Sequence, residues 1–403
     1  MLKLLVMSTL YPNLAQPRHG IFVETRLRQL MASHPVEAVV VAPVPWFPFS
    51  DKRFPRYVDS RNIPMVEERH GVTIYHPRYL VIPKIGMLLT PLFLALAFLW
   101  QMLAIKRTGY NFDLVDGHYY YPDGVGIALI SRLFKVPFTV TARGTDINLI
   151  PAYRLPRKMI LWAASKAAAS ITVCAALKDE MAKIGAVKEK INVLRNGVNL
   201  ELFHPQDRDK CRDKWGIKGK TLLSVGHLIE RKGHHLVVAA MRDLPDCNLL
   251  IAGDGEEQDA LNVLVKQHGL EQRVRFLGAL DQNQLSEVYS AVDVMVLASS
   301  REGWANVLLE SMACGTPVVA TNIWGTPEVV ATAEAGLLVP ERTSGSIAKT
   351  VANLFQEYPD REATRRYAEL FSWEETCNKL YALLNGLSEA NLRKDGSATV
   401  EKI

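Results

Sequence analysis

The chain has 403 residues, 48% of them hydrophobic, with 47 lysines and arginines against 42 aspartates and glutamates. That length exceeds one ordinary core and suits two domains of about 150 to 200 residues each. Few stretches are repetitive and no period of 20 to 50 residues recurs, which argues against a solenoid and makes a globular enzyme the default.

Charge is uneven: up to Pro205 there are 25 basic and 14 acidic residues, and beyond it 22 and 28, so the halves carry +11 and −6 and sum to +5. Such an excess suits an anionic or membrane-surface partner for the first half, with an unevenly solvated surface as the plainer alternative. No nucleic-acid partner is expected. Cys174, Cys211, Cys247, Cys314 and Cys377 are scattered, odd in number and form no C-x2-C pair. They read as reduced thiols in the cytoplasm.

The opening MLKLLVMSTLYP suits a first buried strand better than a secretory signal. The loop YPNLAQPRHGIFVE follows, with Gly20 where a backbone can approach a ligand closely. Val36 to Pro43 is the next strand. From Ile85 to Ile105 run 21 uncharged residues, about 31 Å as a helix and enough to cross a bilayer. A span would put the apolar strands at Leu2 to Ser8 and Phe112 to Gly117, which look like partners in one sheet, on opposite sides. Lys84 at one end, with Lys106 and Arg107 at the other, gives no orientation. A buried or domain-edge helix is therefore expected, and a helix lying on a membrane surface is the alternative.

The strand FDLVDGH ends at His118, a titratable ring at a sheet edge before Tyr119, Tyr120, Tyr121 and Pro122. Arg143 and Asp146, in ARGTD after the strand Phe138 to Gly144, share that edge. Ser170 to Cys174 is a further strand. Ile191 to Pro205 ends the series with a turn and an extended segment, marking a domain boundary: 1–198 against 199–371.

A second series follows: Thr221 to Gly226, Asn248 to Gly255, Val274 to Leu280, Asp293 to Ser299 and Thr316 to Thr321. Strands alternating with helical patterns give α/β domains with doubly wound parallel sheets. After TLLSVG come Arg231 and Lys232, two cations suited to neutralising a diphosphate and helping it leave. A glycine turn at Gly253 to Gly255 marks another strand end. No G-x-G-x-x-G follows the first strand, which counts against a nicotinamide or flavin dinucleotide.

The most specific stretch is SSREGWANVLLESMACGTPVVATNIWGTPEVV, Ser299 to Val330. Glu302 and Glu310 lie across a strand-to-helix junction, Asn306 can cap the helix, and Gly315 with Pro317 ends it. The amides of Val307 and Leu308 are then left for a phosphate. Each carboxylate can accept from one set of sugar hydroxyls, and two solvated glutamates at a helix start are the simpler alternative. The only D-x-D, Asp207 to Asp209, sits in a charged linker, so no metal is expected to be essential.

Together these motifs resemble family 4 (group 1) glycosyltransferases, retaining enzymes of the GT-B fold, over almost the whole chain. The matching pieces are Glu302 to Glu310 with CGTPVVAT, the Arg231-Lys232 pair, GDG, RNGVN near Asn196, and His118. The resemblance implies two facing Rossmann-like domains with an interdomain cleft, the first binding acceptor and the second a nucleotide sugar. It also implies a helix within Phe371 to Leu384 crossing back onto the first domain, with residues 389–403 as a loose tail.

By the same resemblance, Arg231 and Lys232 hold the donor diphosphate of a UDP or GDP sugar, Glu310 its ribose, and Glu302 the transferred sugar. Gly20, Gly253, Asn306, Val307 and Leu308 join in donor binding, His118 faces the reacting sugar, and Arg143 and Asp146 belong to the acceptor or sugar pocket. No cofactor is implied. Two departures stand out: Arg143-Gly144 where His-Gly is usual, and PERTSG where an aspartate usually follows GLLV. A cytoplasmic hexosyltransferase of polysaccharide or glycolipid synthesis, peripheral at the inner membrane face, is the expectation. A nucleotide-sugar epimerase or phosphorylase of this architecture, or a non-catalytic protein that kept the fold, are the alternatives.

Overall fold

The apolar run at the N-terminus becomes β1 (Leu2–Met7), all but one of its residues buried, flanked in parallel by β2 (Val36–Val41) and β7 (Leu114–His118). Such continuous apolar runs are what a parallel sheet covered on both faces requires. The computed structural model describes residues 1–46, 62–82, 86–134 and 136–400. Its compact units are Met1–Leu194 with Glu374–Ile403, and Arg195–Trp373.

In the first unit β4 (Val66–Arg69), β5 (Val72–Tyr75), β8 (Phe138–Ala142), β9 (Ala169–Thr172) and β10 (Ile191–Val193) complete an eight-stranded sheet of order β10-β9-β8-β7-β1-β2-β5-β4. Every pair is parallel except β4 with β5. Short β3 (Val44–Trp46) and β6 (Arg78–Leu80) pair separately. Strand order reverses between β1 and β7, which opens a crevice beyond their carboxyl ends.

The apolar segment forms a helix over Gly86–Arg107; Lys84 and Ile85, where it was expected to begin, lie outside the described residues. It is long and apolar enough to cross a membrane by length and composition. However, Leu94, Phe98, Met102 and Ile105 bury one face of it within the unit, and β1 and β7, which precede and follow it, pair residue for residue. The helix is therefore an element of the unit's outer layer.

The second unit holds β11 (Lys220–Val225), β12 (Cys247–Ala252), β13 (Val274–Gly278), β14 (Val294–Leu297), β15 (Val318–Thr321) and β16 (Gly336–Val339), all parallel, in the order β13-β12-β11-β14-β15-β16. Its switch point falls between β11 and β14. Leu249, Ile251, Val294, Val296 and Val319 form the core beneath.

The final helix, Trp373–Val400, returns the chain to the first unit, where Tyr381 stacks on His34 with ring centroids 4.6 Å apart. It continues through residues expected to fray from 389 onward; 401–403 lie outside the described residues. All five cysteines are buried and unbridged.

Candidate functional site

Two loops meet at the switch point of the second unit. The one after β11 carries Arg231 and Lys232 in a single turn, and the one after β14 carries Ser299 to Glu302. The amide of Ser300 donates to Arg231 O at 2.8 Å, and Arg231 Nη1 donates to Arg301 O at 2.8 Å. Lys232 Nζ donates to Glu302 Oε1 at 2.6 Å, where Ser299 Oγ also donates at 2.7 Å and Arg231 Nη1 stands 3.9 Å away. Burial pushes the Glu302 carboxyl up, but Lys232, Ser299 and Arg231 outweigh it and hold it below its ordinary range. One shared carboxylate thus holds two cations whose side chains remain 30% and 16% exposed.

Glu310 lies on the helix Asn306–Ala313, half-buried, with the Tyr289 hydroxyl donating to its Oε2 at 3.4 Å. Burial with so little compensation raises its pKa to about 7. The two glutamates therefore differ: Glu302 is ionised and committed, and Glu310 is poised to ionise when a ligand's hydroxyls donate to its carboxylate.

The start of this helix departs from expectation. Ala305 occupies the cap position and Asn306 is the first helical residue, so Asn306 does not cap. Its Oδ1 instead accepts from Asn196 Nδ2 at 3.3 Å, while Trp304 Nε1 donates to Asn196 O at 3.1 Å. Asn196 thereby fixes the helix entry from 110 residues away. The Leu308 amide already donates to Ala305 O at 3.1 Å, so of the two amides expected to be open only that of Val307 has no hydrogen-bond partner among the described residues.

Gly253 has φ 149°, and a Cβ there would sit 1.9 Å from Gly226 O. That accounts for the glycine by backbone packing beneath the basic loop. Arg342, in the PERTSG segment that departs from the family pattern, donates to Ala298 O at 2.9 Å and reaches Glu230 at 3.4 Å, bracing the same loop. Asp207 of the D-x-D caps the helix Arg208–Trp215 by accepting from the Lys210 amide. No group of three or more potential metal ligands occurs among the described residues.

In the first unit, the β1/β7 switch point pairs His118 with Arg143 and Asp116, and Asp146 with backbone amides. His118 is 2% exposed; its Nδ1 meets Arg143 Nη2 at 2.7 Å and its Nε2 meets Asp116 Oδ2 at 3.4 Å. Burial, opposed by Asp116, lowers its pKa to about 4, so the ring is neutral at physiological pH. It accepts at Nδ1 and donates at Nε2, so both nitrogens of the ring expected to face the reacting sugar are engaged within the unit.

Asp146 accepts from the amides of Tyr120, Arg143 and Gly144 at 2.8, 3.0 and 2.8 Å. This fully buried carboxylate fixes two loops and is not presented to a pocket. Arg143 stacks on Phe22, 5.1 Å from the ring centroid. Gly20, φ 67°, precedes the helix Ile21–Ser33, and a Cβ there would lie 2.3 Å from Leu10 O, so its close approach is to the loop after β1. Arg26, on that helix, was not singled out from sequence. It is 1% exposed, and its guanidinium nitrogens have no hydrogen-bond partner among the described residues. Burial pushes the Asp116 carboxyl up, but His118 first, then Arg26 and Thr139, outweigh it and bring it to about 2.

Two α/β units, the second with paired cations and a carboxylate at its switch point, form an arrangement that can neutralise an anionic group. The chain belongs to family 4 of the glycosyltransferases, and its fold is GT-B: the profile of group 1 glycosyl transferases matches residues 207–371 and that of glycosyltransferase family 4 matches 23–202.

A D-inositol 3-phosphate glycosyltransferase of Corynebacterium glutamicum is 29% identical over 74% of this chain and 78% of its own length. The putative teichuronic acid biosynthesis glycosyltransferase TuaC of Bacillus subtilis is 24% identical over 88% and 90%. Among solved structures, the sucrose-phosphate synthase of Thermosynechococcus elongatus superposes with a TM-score of 0.81 at 21% identity, covering 97% of this chain and all (100%) of that one. Anabaena HepE in complex with UDP superposes at 0.71 and 20%, covering 96% and 100%. The protein is a glycosyltransferase; relatives with that name leave the epimerase and non-catalytic alternatives without support.

Proposed function

We propose that the protein transfers a sugar from a nucleoside diphosphate sugar, a UDP or GDP sugar, to an acceptor with retention at the anomeric carbon. The observation that carries this is the Lys232–Glu302 pair with Arg231 beside it, braced by backbone contacts at the β11/β14 switch point. An incoming diphosphate exchanges with Glu302 as the partner of both cations, leaving that carboxylate to accept from hydroxyls of the transferred sugar. The Val307 amide meets phosphate, and Glu310 accepts from the ribose. The HepE complex with UDP supports a uridine donor by fold likeness.

The anomeric C–O bond to phosphate breaks, the acceptor oxygen bonds to the same face of that carbon, and the acceptor proton passes to a phosphate oxygen. Arg231 and Lys232 stabilise the charge that grows on the leaving diphosphate, so the catalytic effect is electrostatic and positional. A neutral, enclosed His118 fits a role in orienting groups and does not suit a general base. Family likeness assigns His118 to the reacting sugar, Arg143 to the acceptor or sugar pocket, and Gly20 to the donor. Asp146 acts through the loops it holds.

A lipid-linked or polysaccharide acceptor is the reading for the basic first half, with the enzyme in the cytoplasm and peripheral at the inner face of the plasma membrane. No metal is required in this scheme. The test is a thermal-shift screen against nucleotide sugars: a ligand at 100 times its Kd stabilises by about 2.7 kcal/mol. Arg231→Ala should abolish the shift, and a shift that survives it overturns the assignment.

A further inference from the structure

The outer helical layer of the first unit has a composition that the transfer reaction does not use. Strand order steps the same way from β2 to β7, β8 and β9, so right-handed crossovers place the helices Gly86–Arg107, Val125–Phe134 and Arg154–Lys166 on one sheet face. The first packs against the second closely enough that a Cβ on Gly126 would lie 3.2 Å from Pro91 O, and the second packs against the third.

Along the first helix Leu88, Leu92, Leu96, Trp100 and Leu103 repeat at helical spacing on the face turned away from the core, and Leu96 and Trp100 are 56% and 59% exposed. On the helices packed beside it, Leu129 and Leu133 are 46% and 64% exposed and Leu155 and Trp162 are 53% and 39% exposed. Patches of this extent on a soluble unit mark an interaction site.

Charge decides the occupant. The three helices carry two, one and four cations: Lys106 and Arg107, then Arg132, then Arg154, Arg157, Lys158 and Lys166. None of the three contains an aspartate or glutamate. A second copy of the same face would bring like charges together. An anionic bilayer complements both properties: apolar side chains enter the headgroup boundary while lysines and arginines meet phosphates. Tryptophan at positions 100 and 162 suits the interface between water and acyl chain.

We propose that this three-helix face docks the enzyme onto anionic lipid, lying on the membrane without crossing it. The inference deepens the peripheral placement given above but stands on exposure and charge, and its test does not depend on turnover.

The full chain is floated with vesicles of phosphatidylcholine alone and of phosphatidylcholine with phosphatidylglycerol. Binding to the anionic vesicles alone is expected, and binding indifferent to lipid charge, or none to either, overturns the proposal. Arg154→Gln with Lys158→Gln and Lys166→Gln should weaken anionic-vesicle binding about a hundredfold. Leu96→Gln with Trp100→Gln should weaken it about tenfold or more.

Both variants alter exposed side chains and should keep the parent's melting temperature and nucleotide-induced thermal shift. Flotation equal to the parent's in both sinks the idea. So does a dimer in light scattering that the Leu96/Trp100 variant converts to monomer, since the face would then belong to a second copy. A failed nucleotide shift with intact, charge-dependent flotation would count against the proposed nucleotide-sugar site and leave the docking surface standing.

Discussion

At the carboxyl ends of β1 and β7, His118 pairs with Arg143 and Asp116, Asp146 accepts from backbone amides, and His118 and Asp146 are almost wholly buried. At the ends of β11 and β14, Arg231 and Lys232 converge on one carboxylate while keeping part of their surface open. Both places are strand-order switch points and both hold cations beside acids. The first uses its charges to hold loops, whereas the second keeps cations that can trade an internal partner for a ligand. Position in a parallel sheet therefore nominates a site, and the way charge is already committed decides what that site can do.

The sharpest way to break this contrast is Arg231→Ala. It should lower kcat/KM by about a thousandfold with little change in melting temperature. Lys232→Ala should do the same to kcat/KM but also lower the melting temperature, because Glu302 is left buried without its closest cation. Asp146→Ala should do the reverse: three buried amides lose their acceptor, so stability falls by about 3 kcal/mol, read by denaturant unfolding, while the Kd for nucleotide is unchanged.

A smaller effect separates the two glutamates. With Glu310 at about 7 in the free protein, nucleotide binding that needs its carboxylate should weaken about tenfold from pH 8 to pH 6, and Glu310→Gln should flatten the profile. Folding raises this group from its ordinary 4.5, so the stability it contributes is fully present below that value and is lost as pH rises through about 7. His118, near 4, adds no limb to the profile in that interval. The smallest expected effect is none at all: turnover in excess chelator should equal turnover without it.

Much of this architecture could be read from residues alone. The apolar runs that became β1, β2, β7, β8, β9, β11, β12, β13, β14 and β15 are continuous because both faces of each sheet are covered, and such runs stand out in a sequence. β4, with the sequence VEER and alternating exposure, carries no such signal and was missed with its partner β5.

At the site, the basic pair and the two glutamates were legible because glycine turns and a strand-to-helix junction frame them. The capping role given to Asn306 was not, since it ignored Asn196, which reaches it from 110 residues away. Leu308 was likewise credited with an open amide that a tight first turn consumes. Asp146 looked like a pocket residue because an acid after a strand is ambiguous until its backbone partners are known. Arg26 gave no sign at all, as one arginine in an amphipathic helix is ordinarily solvated.

The return of the last helix to the first unit has a consequence for biosynthesis. Cys377, Leu380 and Leu384 bury themselves in a structure whose other residues left the ribosome nearly two hundred residues earlier. Until that helix emerges, the surface around His34 has no cover, so the unit made first is finished last. A nascent chain stalled after Trp373 should carry a complete second unit and an unfinished first one, the form that chaperones and proteases would engage.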